Sequence, residues 1–168
     1  MMCGAELSKL PDGVQRVALF LQTQGYDKVP HMLQDAARTA QQAADALGVE
    51  LGQIAKSIIF RRKSDNVAVL VITSGYKRVD EAKVQALVCN VGAKLGRADA
   101  DFVKLKTGFS IGGVAPMGHL VQPVTLIDKE LFRFETVWAA AGHPNAVFEI
   151  SPQKLQQFTN APVADVSL

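Results

Sequence analysis

At 168 residues, with 48% hydrophobic and 20% charged residues, the chain has the composition of an ordinary soluble globular protein with a sizeable core. Its net charge of +2 excludes nucleic-acid binding driven by overall charge, and its two cysteines exclude a disulfide framework. No apolar run approaches the roughly 20 residues of a membrane span, and Met1 to Glu6 lacks the basic and apolar regions of a secretory leader. These limits point to a single domain over residues 1–168 and a cytoplasmic location.

Pro11 to Gln24 reads as an amphipathic helix, with Val14, Val17, Ala18 and Leu21 at helical spacing and Gly25 as its stop. Leu19 and Phe20 widen its apolar face. Tyr26 to Gln34 reads as an extended segment held to a sheet edge by Pro30. Thr39-Ala40-Gln41-Gln42 has the capping-box pattern, opening an alanine-rich helix from Ala40 to Leu47 that stops at Gly48. Thr39 reads as that cap, at a helix end that also suits an anion.

Ile54 to Phe60 and Val67 to Thr73 are rich in β-branched residues and read as a hairpin across the polar turn Arg61 to Asn66. Lys56 interrupts the first strand. It either snorkels to the edge or stands half-buried as a cation for a phosphate or carboxyl oxygen. Ser57 falls on the opposite face of that strand and reads as structural. A loop with Lys77 and Arg78 leads to a helix capped by Asp80, running to about Val88. Val91 to Ala98 holds a loop and a short strand, and Asp99 caps a helix from Ala100 to Thr107. Beyond lie strands from Val121 to Ile127, Thr136 to Ala141 and Ala146 to Ile150, with a helical turn at Asp128 to Leu131. Ser151 and Pro152 open a last helix to about Thr159, and Pro162 to Val166 is extended. Helices and strands alternate without a steady βαβ rhythm, and short turns join two strand pairs. That combination predicts a mixed α/β (α+β) fold, a curled, barrel-like sheet with helices around it.

Between the helix ending at Thr107 and the next strand lies the segment Thr107 to His119, with four glycines and Pro116. It can be neither helix nor regular strand, while Phe109, Ile111, Val114 and Met117 tether it. Its unladdered backbone N–H groups can hold an anion or the carbonyl oxygen of a reacting ester. His119 and His143 each sit beside a glycine turn and are the candidates for a side-chain acid or base. No metal-ligand spacing, dinucleotide fingerprint, Walker loop or nucleophile elbow is present. Cys89 reads as a small core residue.

Thr39-Ala40 with Ala43-Ala44, Gln53 to Phe60, the loop Thr107 to His119 and Trp138 to Gly142 together resemble the YbaK superfamily. That family includes the editing domain inserted in bacterial prolyl-tRNA synthetases and its free-standing relatives. Lys56-Ser57 and the GxxxP loop Gly112 to Pro116 carry the resemblance, which runs from about residue 11 to the C-terminus. It implies hydrolysis of the ester joining a wrong amino acid to tRNA, in trans, without metal or cofactor. The amino acid is expected to be small: alanine, serine, threonine, cysteine or 2-aminobutyrate, on the proline tRNA.

The resemblance places Lys56, Gly112 and Gly113 at the chemistry. Thr39, Ile111, Val114, Ala115, Pro116, His119, Gly142 and His143 are expected around the substrate. No Ser/His/Asp or Cys/His arrangement stands out, in keeping with direct attack by water. Arg61, Arg62, Lys63, Lys77 and Arg78 are expected to form one basic cluster for the tRNA backbone. The expected partners are mischarged tRNA and an aminoacyl-tRNA synthetase, with no membrane. The competing reading is a module of the same fold that binds charged tRNA or an aminoacyl-adenylate without chemistry.

Overall fold

The computed structural model describes residues 2–168. Met1, part of the segment read as lacking leader character, lies outside the described residues. The helices are α1 (Gly4–Leu7), α2 (Asp12–Thr23), α3 (Ala40–Leu47), α4 (Glu81–Val88), α5 (Ala100–Thr107) and α6 (Pro152–Thr159). The strands are β1 (His31–Met32), β2 (Ile54–Arg62), β3 (Val67–Ser74), β4 (Leu95–Arg97), β5 (Val124–Asp128), β6 (Val137–Ala140), β7 (Ala146–Ile150) and β8 (Val163–Ala164). None of the described helices is long and apolar enough to cross a membrane.

The eight strands form one mixed sheet in the order β1-β7-β6-β2-β3-β5-β8, with β4 paired to β2 outside that path. β2 and β3 are the antiparallel hairpin expected, while β2–β6 and β3–β5 run parallel. The order ends at β1 and β8, so the sheet does not close into a barrel. Helix caps follow the sequence closely. Thr39 accepts from the Gln42 amide, and Asp99 from that of Phe102. Gly48 and Gly108 end their helices at φ +67° and +80°, where a Cβ would be strained.

Four boundaries differ from expectation. β2 runs to Arg62, two residues into the turn expected over Arg61 to Asn66, because Arg61 and Arg62 pair with Ala68 and Val67. The terminal segment holding Cys3 forms the short helix α1, with Glu6 accepting from the Cys3 amide at 2.9 Å. A 3-10 turn occupies Leu51–Gln53 ahead of β2. β5 begins at Val124 rather than Val121, because the amides of Leu120 and Val121 donate to Thr107 and Lys106 at the end of α5. Pro123 has no amide to give a ladder.

Strand alternation divides the core. Ala55, Leu70 and Ile72 pack with Phe109, Val114, Ala115 and Met117 of the glycine loop. Phe60, Val69 and Val71 form a second cluster with Val84 and Leu126. On α2, Val14, Val17, Ala18 and Leu21 are buried as the spacing predicts, while Leu19 is 48% exposed. Leu19 therefore does not widen the packed face as expected.

Candidate functional site

β2 is incompletely covered along one side. It meets β6 only at Ile54 and Ala55, and β4 only at Phe60, Arg61 and Arg62. Lys56 to Ile59 therefore has no strand partner on that side. A cavity of about 260 Å³ opens at this gap, lined by Lys56, Ser57, Thr39, Ile111, Gly112 and Val114. Ala40 and Ala43 of α3 and Trp138, Ala139 and Ala140 of β6 supply apolar wall. The small side chains of α3 matter here. Ala43 and Ala44 pack against Ile54, holding the helix close to the sheet.

Of the expected residues, the cavity gathers Lys56, Gly112, Thr39, Ile111 and Val114. Ala115 is fully buried in the main core, and Pro116 lies in the same buried stretch of loop. Gly113, Gly142 and His143 face a neighbouring groove of about 630 Å³ that also holds Arg16 and Lys104. Pro144 borders both spaces. The wall between them is the contact of two turns. A Cβ on Gly113 would stand 2.8–2.9 Å from main-chain atoms of His143.

The Gly-Gly turn does not offer two free amides. The Gly113 N–H donates to Ser110 O at 3.0 Å, closing its own turn. Among the described residues nothing accepts from the Gly112 N–H. Gly112 sits at φ +94° and contributes to the cavity wall.

Lys56 pairs with Thr73 and Ser57 with Ile72, so their side chains leave β2 on opposite faces. Ser57 is on the face that carries the glycine loop; Lys56 is on the other. Both border the cavity because it lies at the strand's uncovered edge. Lys56 Nζ donates to Lys77 O at 2.8 Å. Burial holds its pKa below the usual lysine value, Arg78 pushes the same way, and Asp128 opposes them. An ammonium has three N–H groups, so two remain for a ligand. Asp128 itself is fully buried, accepting from Thr73 Oγ1, Ser74 N and Glu130 N.

His119 is not in the cavity. Its Nε2 meets Ala115 O at 2.6 Å beneath the glycine loop, and its ring packs edge-on against Phe109. Its Nδ1 is buried without a partner. Burial lowers its pKa, with the Ala115 carbonyl opposing and Arg16 adding to the fall. A histidine harder to protonate when folded takes up fewer protons than the unfolded chain below about pH 6.5. Stability is therefore present above that pH and lost as pH falls through it. Urea midpoints at pH 7.5 and 5.5 are expected to fall more for the wild type than for His119→Gln; equal falls would contradict this.

The basic residues do not form the single cluster expected. Lys77 and Arg78 follow β3 at the cavity end of the hairpin, while Arg61, Arg62 and Lys63 lie at its other end. Six residue steps of strand, roughly 20 Å, lie between Arg61 and the cavity end of the hairpin at Ala55 and Ser74. Arg62 is also bound to Asp65 and to Val88 O, and Arg61 Nη1 donates to Asn66 Oδ1. A cation missed in the sequence, Arg38, lies beside the N-cap of α3 at the cavity. Ser57, read as structural, proves to have a buried hydroxyl oxygen with no partner. His143 Nδ1 accepts from the Asn145 amide. No group of three or more potential metal ligands occurs among the described residues.

Residues 34–158 match the family model described as the aminoacyl-tRNA editing domain. The chain is 35% identical over 128 residues to YwhH of Bacillus subtilis, covering 76% of this chain and 79% of that protein. It is 25% identical over 129 residues to the Enterococcus faecalis protein named "Putative Cys-tRNA(Pro)/Cys-tRNA(Cys) deacylase EbsC", covering 77% of each. The crystal structure of "a putative trans-editing enzyme for prolyl tRNA synthetase" superposes with a TM-score of 0.87 at 38% identity. The superposition covers 95% of this chain and 99% of that one.

Proposed function

The chain belongs to the aminoacyl-tRNA editing domain family, and from that footing we propose that it hydrolyses the ester of mischarged aminoacyl-tRNA. In this reading the whole chain works as one cytoplasmic domain acting in trans, on proline tRNA carrying a small non-cognate amino acid. The carrying observation is the cavity at the uncovered edge of β2, where Lys56 and Gly112 border one amino-acid-sized space. The likeness to a structure described as a prolyl trans-editing enzyme supports the choice of tRNA. It also supports a synthetase as the partner that supplies the mistake.

Ester hydrolysis needs a held water and a donor at the developing oxyanion. In the proposed mechanism the Gly112 N–H meets the carbonyl oxygen. Lys56 holds the terminal phosphate or orients the aminoacyl end with its two remaining N–H groups. Water adds to the carbonyl carbon, the bond to the ribose oxygen breaks, and that oxygen takes a proton as the free amino acid leaves. A neighbouring ribose hydroxyl positions the water, since no cavity side chain forms a base–nucleophile pair.

Size and charge of the cavity favour a small, uncharged side chain. About 260 Å³ lies below the usual range for drug-sized ligands, and alanines form much of its wall. Lys56 and Arg38 border it and no carboxylate does, which disfavours a cationic substrate side chain. Proline tRNA charged with alanine, serine, threonine, cysteine or 2-aminobutyrate is expected to lose its amino acid rapidly, and cognate prolyl-tRNA slowly. Binding of these tRNAs with no release of amino acid would overturn the reading in favour of a binding module.

A further inference from the structure

We propose that the Ser57 hydroxyl accepts a hydrogen bond from the α-amino group of the bound aminoacyl ester, and so selects aminoacyl over plain acyl esters. This rests on the hydrolysis proposed above and assigns one contact within it.

Ser57 Oγ is buried and has no hydrogen-bond partner among the described residues. A buried hydroxyl left unpaired costs about 1–3 kcal/mol, a cost that a ligand removes by supplying the partner. The residue is placed to meet one. It borders the main cavity and also a smaller recess of about 180 Å³ that continues from it along the glycine loop. Ile111, Gly112 and Val114 border both spaces beside it. Pairing of Ser57 with Ile72 places its side chain on the loop's face of the sheet.

Among the side chains of the cavity, this oxygen is the acceptor left free. Among the described residues no aspartate or glutamate lines the space. Lys56 and Arg38 carry only donors. Thr39 Oγ1 already accepts from the Gln42 amide at 3.1 Å. In an aminoacyl ester the amine is carried by the carbon next to the carbonyl carbon. A carbonyl oxygen held at Gly112 therefore leaves the amine close beside it, where Ser57 stands. An acyl ester without an amine would leave the hydroxyl unpaired, and a site built to pair a polar group rejects analogues that lack it.

The test compares alanyl-tRNA with propionyl-tRNA, which differ only in the amine, on wild type, Ser57→Ala and Ser57→Thr. Ser57→Ala is expected to lower kcat/KM for the alanyl ester about 10- to 100-fold and to leave the propionyl ester within about twofold. Ser57→Thr keeps the hydroxyl on a side chain suited to a strand and is expected to restore the alanyl rate to within about threefold. The same pattern is expected in Kd for the alanyl and propionyl 3′-amides of adenosine, which are not hydrolysed. Equal losses on both esters, or no loss on either, would overturn the assignment. Were the wild type to cleave no aminoacyl-tRNA at all, the proposed function would fall, and the two amides would still decide the Ser57 contact.

Discussion

Lys56→Met is expected to lower kcat/KM for deacylation about 10- to 100-fold while leaving the thermal midpoint unchanged or slightly raised. The asymmetry follows from where the residue stands. Its side chain is half-buried, a placement that holds its pKa below the usual lysine value through desolvation. Methionine keeps the apolar stem and removes the charge that burial penalises. The fold loses one bond to Lys77 O, worth about 1 kcal/mol and offset by the relieved desolvation. In the proposed mechanism the reaction loses the cation that holds the anionic substrate, where charged hydrogen bonds contribute about 1.5–3 kcal/mol. Parallel measurements of rate and melting separate the two effects. A rate within about threefold of wild type would remove Lys56 from the mechanism.

Gly113→Ala is expected to damage both stability and activity, although the Gly113 amide does not face the cavity. Its new Cβ would lie 2.8–2.9 Å from Cα, C and N of His143. Main chain meets main chain there, so no rotamer change relieves the clash. The turns Ser110–Gly113 and Gly142–Asn145 must part, at a cost of about 1–3 kcal/mol. Parting them shifts Gly112, and a misplacement of about 1 Å costs on the order of 100-fold in rate. Gly112→Ala is the informative contrast. Its Cβ meets only Pro144, at 3.8 Å, but its φ of +94° strains any other residue. Urea midpoints and deacylation rates on Gly113→Ala check the account, and a variant normal in both would contradict it.

Local signals were legible because they are local. The caps at Thr39, Asp80, Asp99 and Ser151 and the glycine stops set the helix limits to within a residue. The β-branched runs set β2, β3 and β7. The start of β5 was not legible, because Leu120 and Val121 bond back to a helix end that is adjacent only in space. The site was legible in part for the same reason. Lys56 and the glycine loop stand out as violations of their surroundings. Which face of β2 the loop covers is a property of the sheet order, so alternation alone set Ser57 opposite Lys56 without saying which of them met the loop. Trp138 and Arg38 reach the cavity through β6 pairing and the approach of α3, and neither carries a local mark. The basic residues misled: the turn inside the hairpin and the loop after it, expected to form one cluster, lie at opposite ends of the hairpin.

The central claim is that the aminoacyl group occupies the gap along β2. A crystal structure with the non-hydrolysable 3′-amide of alanyl-adenosine tests it most directly. The alanyl group is expected against Gly112, Ser57 and Lys56, with its methyl toward the alanines of α3 and β6. Density for the alanyl group in the Arg16 groove across the Gly113–His143 wall, with the β2 cavity empty, would contradict the claim.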